Sequence, residues 1–102
     1  MKLKKQVEPK QGSIKGKRRI LFEIEAPPGS MVFVAGSFNW WDSTTHQLTD
    51  KGCPGRYRRH VYVAPGRVEY KFLVNGEWCI DPNCPGWVAN RFGSLNSVTK
   101  VG

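Results

Sequence analysis

Apolar and polar side chains alternate through RRILFEIEA, which puts Ile20, Phe22 and Ile24 on one side and Leu21, Glu23 and Glu25 on the other. A period of two over this length predicts a strand with one buried face. Pro27-Pro28-Gly29 ends it, and MVFVAG follows as a second strand rich in β-branched and aromatic residues. SFNWWDSTTHQLTDKGCPG reads as a long polar loop carrying two adjacent tryptophans. RYRRHVYVA alternates again, with Tyr57, Arg59, Val61 and Val63 opposing Arg58, His60 and Tyr62. Ala64-Pro65-Gly66 turns the chain into RVEYKFLV, and NSVTKV supplies a last strand near the end. No run of ten or more residues holds an apolar period of 3.6. Short strands with Gly and Pro punctuation predict an all-β, antiparallel sandwich or barrel.

The stretch YKFLVNGEW fixes one register. Asn75-Gly76 between alternating runs is a strong hairpin signal, because a type I′ turn needs positive φ at both central residues. Val74 then pairs with Glu77, Leu73 with Trp78, Phe72 with Cys79 and Lys71 with Ile80. Side chains alternate faces, and directly paired residues share one. Val68, Tyr70, Phe72 and Val74 form a core face, while Glu69, Lys71, Leu73 and Trp78 share the other. Lys71 and Trp78 become diagonal neighbours, about 7–8 Å apart at the backbone. A lysine stem lying over an aromatic surface accounts for such a pair without any ligand. An exposed tryptophan beside a hydrogen-bond donor is also what a flat polar ligand requires.

Composition narrows the function. The 102 residues carry a net charge of +8, the length of a single domain. Residues 1–19 hold eight basic side chains against Glu8 alone, and the rest of the chain is nearly balanced. The charge belongs to an N-terminal tail, residues 1–17, whose lysines, Gly, Pro and Gln predict disorder. No nucleic-acid motif accompanies it, so nucleic acid is not an expected partner. No stretch reaches the roughly 20 apolar residues of a membrane span, and no apolar segment follows the charged start as in a secretory signal. Cys53, Cys79 and Cys84 have no zinc spacing. They read as free thiols of a reducing, cytoplasmic compartment, with a Cys79–Cys84 bridge left open by spacing alone.

Catalysis is not expected. Glu23, Glu25, Asp42, Asp50, Glu69, Glu77 and Asp81 include no recognisable pair of the kind glycoside hydrolysis uses. Asp81-Pro82 reads as a turn, and Asp42 as a loop acid bonded to local backbone. His46 and His60 stand without a nucleophile partner suggested by spacing, and there is no phosphate-cradling glycine loop.

Four blocks in order, GSFNWWD (36–42), PGRVEYKFLVNGEW (65–78), DP (81–82) and NRFGSLNSV (90–98), resemble the α-glucan-binding module of carbohydrate-binding module family 48. That module stands at the N-terminus of isoamylases and branching enzymes and in the β subunits of AMP-activated protein kinase. The resemblance runs from about residue 18 to the end. It implies an immunoglobulin-like β-sandwich, residues 18–102, that binds glycogen- or starch-type chains, is not catalytic, and needs no cofactor or metal.

Carried over by position, the resemblance implies sugar-stacking platforms at Trp41 and Trp78 and a hydrogen-bonding lysine at Lys71. It also implies an asparagine at Asn96, an apolar contact at Phe92 and a hydroxyl at Ser94. Trp40 departs from the family, where its position is usually small or polar, so either tryptophan of the loop is open as the ligand-facing ring. Phe38 is expected to anchor that loop in the core. Trp87 is open between a lid on the core and an extra sugar contact. With no catalytic domain following Gly102, the expectation is a free-standing module or one that delivers glucan affinity to a glycan-metabolising or kinase-type enzyme. Regulatory docking on a partner enzyme is the alternative function, and polyanion binding by the tail a third.

Overall fold

The computed structural model describes residues 16–102, so the expectation of a disordered tail falls, apart from Gly16 and Lys17, outside the described residues. Eight strands follow one another: β1 (Arg18–Glu25), β2 (Val32–Gly36), β3 (Gln47–Leu48), β4 (Arg56–Val63), β5 (Gly66–Val74), β6 (Glu77–Cys79), β7 (Trp87–Ala89) and β8 (Leu95–Val101). β1 and β4 pair as one antiparallel sheet. The other runs β3-β2-β5-β8-β7, and β6 pairs with β5 off that path. An isolated bridge between Thr49 and Arg58 links the two along one side. This is the all-β, antiparallel sandwich that the alternation predicts. Among the described residues no helix is long and apolar enough to cross a membrane.

The core lies between the sheets. Phe22 of β1 meets Tyr70 and Phe72 of β5 edge-on, with ring centroids 4.8 and 6.4 Å apart. Val32, Val34, Leu48, Val63 and Phe72 are sealed from solvent around them. Tyr70 keeps its polar end satisfied by donating to Asp81 Oδ2 at 2.7 Å. Burial, followed by that bond, pushes its phenol well above the ordinary tyrosine range. The Tyr57 hydroxyl accepts from Ser30 N–H and donates to Pro27 C=O, which pins the turn between β1 and β2.

β5 is the central strand and carries both faces of the molecule. Asn75 and Gly76 have φ of 51° and 85°, the signs a type I′ turn demands. The hairpin register is Phe72–Cys79, Leu73–Trp78 and Val74–Glu77, as the Asn-Gly signal predicts. The ladder stops there and does not reach the expected Lys71–Ile80 pair, because β8 takes over that side of β5 and pairs with residues 66–70.

The long polar loop contains β3, whose Leu48 pairs with Val32 and is buried. Trp87 lies on the short edge strand β7, paired with Ser97, and is 61% exposed, so it is no lid on the core. Phe38 does anchor its loop, stacked on Phe22 at 5.3 Å. The three thiols are free, and burial raises the pKa of Cys79.

Gly36 ends β2 where the loop bearing Trp40 and Trp41 begins. A Cβ there would strike the Glu69 carbonyl and come within 2.9 Å of both the Phe38 ring and Tyr70 Cβ. Two of those neighbours belong to β5 and cannot swing aside. Gly36→Ala is therefore expected to lower unfolding stability by about 2–3 kcal/mol, read from a urea titration. An unchanged midpoint would mean that β2 and β5 part there without strain.

Candidate carbohydrate-binding site

The outer face of the larger sheet carries an open cavity of about 610 Å³, within the usual range for ligand pockets. Alternation puts it there. Glu69 and Lys71 of β5 and Asn96 of β8 point away from the core face, and Trp78 joins them because it pairs with outward-facing Leu73. Loops supply the rest: Trp41 from the segment after β2, and Phe92 and Ser94 from the segment between β7 and β8. All six side chains singled out by the sequence, Trp41, Lys71, Trp78, Phe92, Ser94 and Asn96, line this one cavity. Trp40 and Trp87 do not.

Glu69, which the alternation places on this face, also lines it, as do Asn90 and Arg91, which were not anticipated. Asn90 organises the β7–β8 loop: its Oδ1 accepts from the N–H groups of Phe92 and Ser94, and its Nδ2 donates to Ser94 Oγ and Asn96 Oδ1. Such an Asx turn has a local signal, an asparagine opening a short Gly-containing loop. Glu69 accepts from Asn96 Nδ2 at 3.2 Å and from Arg67 at 3.3 Å. Its bond to Asn96 joins two strands and left no local trace. Arg91 lies over the Phe92 ring, 5.2 Å from its centroid.

These bonds hold polar groups ready without exhausting them. Lys71 Nζ donates to Ser94 Oγ at 3.0 Å, and an ammonium has three protons to give. Asn96 is 94% buried, with one amide proton on Glu69 and one carbonyl lone pair facing Asn90, so a second donor and a second lone pair remain. The two tryptophans add apolar area, being 38% (Trp41) and 47% (Trp78) exposed. The arrangement suits a ligand with flat apolar faces and polar edges.

Trp41 is placed by an unusual turn. Asp42 N–H donates to the Asn39 carbonyl, and Trp40 and Trp41 between them both have φ of 58°. Two central residues in the left-handed region match a type I′ pattern, ordinarily filled by Asn and Gly. For a bulky side chain this costs about 1–2 kcal/mol per residue, so surrounding bonds must enforce it. Asn39 does so. Its Oδ1 accepts from Gly36 N–H, and its Nδ2 donates to the Asp42 carbonyl and to His46 Nδ1 at 3.0 Å. With Gly36 N–H on the amide oxygen, the amide nitrogen faces His46 Nδ1, an arrangement that suits a neutral ring whose Nδ1 accepts. Asp42 accepts from both the N–H and the hydroxyl of Thr44, which holds its carboxyl below the usual range.

His46 is expected to make this turn sensitive to acid. Burial and then the Arg59 charge lower its pKa from 6.5, against a smaller opposing effect of Asp42. An unfolded chain thus takes up the proton at higher pH than the folded one. The stabilising contribution is complete above pH 6.5 and is lost as pH falls through the folded-state value below it. Thermal midpoints between pH 7 and 5 should decline in the wild type and decline less in His46→Gln. Equal slopes would remove His46 from the account.

The family of glycogen recognition sites of AMP-activated protein kinase matches residues 20–102. Protein FLOURY ENDOSPERM 6, chloroplastic, of Oryza sativa subsp. japonica is 31% identical over 81% of this chain and 15% of its own length. The 5'-AMP-activated protein kinase subunit beta-1 of Sus scrofa is 32% identical over 72% of this chain and 56% of its own. The human subunit beta-2 is 30% identical over 72% of this chain and 25% of its own. The chain thus spans between about a seventh and little over half of these relatives. With the matched segment running through every strand that builds the cavity, the chain belongs to the family of glycogen recognition sites of AMP-activated protein kinase.

Proposed function

We propose that the chain is a non-catalytic module that binds α-1,4-linked glucan in the outer-face cavity. The observation that carries this reading is the convergence of Trp41, Trp78, Lys71 and Asn96, drawn from four separate segments, on one open concavity. The indoles of Trp41 and Trp78 receive the apolar faces of successive glucose rings along the curve of the chain. Lys71 and Asn96 bind hydroxyls from the sides with the protons and lone pair left over from their internal bonds. Phe92 adds apolar contact at the rim, and Ser94 holds the lysine in place. Membership of a glycogen-recognition family supports the same ligand class.

Binding without cleavage is supported by the acid–base inventory of the cavity. Among the described residues lining it, Glu69 is the one carboxylate, and Asn96 and Arg67 already engage it. Glycoside hydrolysis generally requires two carboxyl groups flanking the bond. The relatives named as kinase subunits support a second part of the reading, in which the module brings glucan affinity to a kinase-type or glycan-metabolising partner. We keep the cytoplasmic address expected from the thiols as part of this proposal, while the rice relative is named chloroplastic.

Removal of a central aromatic anchor typically costs about 2 kcal/mol, or roughly thirtyfold in affinity. Trp78→Ala is therefore expected to weaken maltoheptaose binding by about that factor, with Lys71→Ala weaker in the same direction, read by calorimetric titration. Wild-type affinity in a folded Trp78→Ala protein would refute the site. Because the ligand is uncharged, affinity should change little between low and high salt. A steep fall with salt would point instead to a polyanion held by the basic tail.

A further inference from the structure

Trp40 is 95% exposed, the most exposed large apolar side chain among the described residues, and lies outside the cavity that its neighbour Trp41 lines. Its indole therefore contributes almost no burial to folding, while its left-handed backbone, φ 58°, opposes a side chain of this size. Asparagine would suit the position better on both counts, since its short polar side chain tolerates that region. Local stability thus gives no reason for a tryptophan here. Its surroundings narrow what it can serve. Along the chain the loop is mostly polar, with Ser37, Asn39, Asp42, Ser43, Thr44 and Thr45 beside Phe38, which turns into the core, and Trp41, which turns to the cavity. A protein-binding hot spot is normally ringed by contacts that exclude water. An exposed aromatic face carried by a mostly polar loop suits a sugar, which offers a CH face and hydroxyl edges.

We propose that Trp40 is a second glucan contact, outside the cavity, that engages a neighbouring chain of a branched or packed α-glucan while Trp41 and Trp78 hold the first. This rests on the cavity being a glucan site. The turn gives the two indoles different destinations: Trp41 goes to the cavity and Trp40 to open solvent, on either side of one peptide bond. A single short oligosaccharide in the cavity gains nothing from Trp40. A polymer that presents several chains at once gains a tethered second contact, whose benefit is set by effective concentration.

The test compares wild type, Trp40→Asn and Trp78→Ala on two ligands, maltoheptaose by calorimetry and glycogen by co-sedimentation. Asparagine preserves the left-handed turn, so Trp41 keeps its place. A thermal midpoint at or above that of wild type verifies that the fold is intact. For Trp40→Asn the expected result is maltoheptaose affinity within about twofold of wild type and glycogen affinity lowered roughly five- to tenfold. Unchanged glycogen affinity would overturn the proposal. So would an equal loss on both ligands, which would make Trp40 part of the cavity site. Trp78→Ala keeps the two readings apart: if it loses neither ligand, the cavity reading itself fails, whatever Trp40 does.

Discussion

The alternation of side chains along β5 is the constraint on which the rest of the molecule depends. Val68, Tyr70 and Phe72 face the core, and Glu69 and Lys71 face the cavity. A slip of one residue would exchange the two sets, putting a lysine and a glutamate into the core and the buried rings into water. The Asn75-Gly76 turn prevents that slip by setting the Leu73–Trp78 pair. It is itself tied down, since Asn75 Oδ1 accepts from Met31 N–H and its Nδ2 donates to Ser30 Oγ. Core burial and site assembly are therefore consequences of the same register.

What the strands cannot supply, two asparagines do. Asn39 holds the turn that delivers Trp41, and Asn90 holds the loop that delivers Phe92 and Ser94. In both cases one amide satisfies several backbone groups that a short loop would otherwise leave to solvent. A loop fixed in this way loses less entropy when a ligand settles on it. The strain at Trp40 and Trp41 can persist because Asn39 and its neighbours leave the turn few alternatives.

Much of this was legible in the sequence, and the rest was hidden for identifiable reasons. Period-two alternation gave the long strands, and the Asn-Gly dipeptide gave the β5–β6 register, because both signals are local. The six cavity side chains followed from resemblance, with the Lys71–Trp78 adjacency also following from the hairpin. β3 and β7 were missed because strands of two and three residues carry no period and exist only through pairing with β2 and β8. The face of Glu69 followed from alternation, but its bond to Asn96 was missed because the two lie 27 residues apart. His46 looked isolated, since its bond to Asn39 depends on how the intervening turn folds. The left-handed conformation of Trp40 and Trp41 contradicts side-chain preference and could be found only in the structure.

Sugar is expected to meet Trp41 and Trp78 on the outer face. The four tryptophans give this contact a direct test, because each indole N–H has its own proton–nitrogen NMR signal. In a titration with maltoheptaose, the Trp41 and Trp78 signals should move together along one saturable curve while those of Trp40 and Trp87 stay in place. Saturable binding that moved Trp87 and left Trp41 and Trp78 unaffected, or no movement of any indole, would contradict that contact.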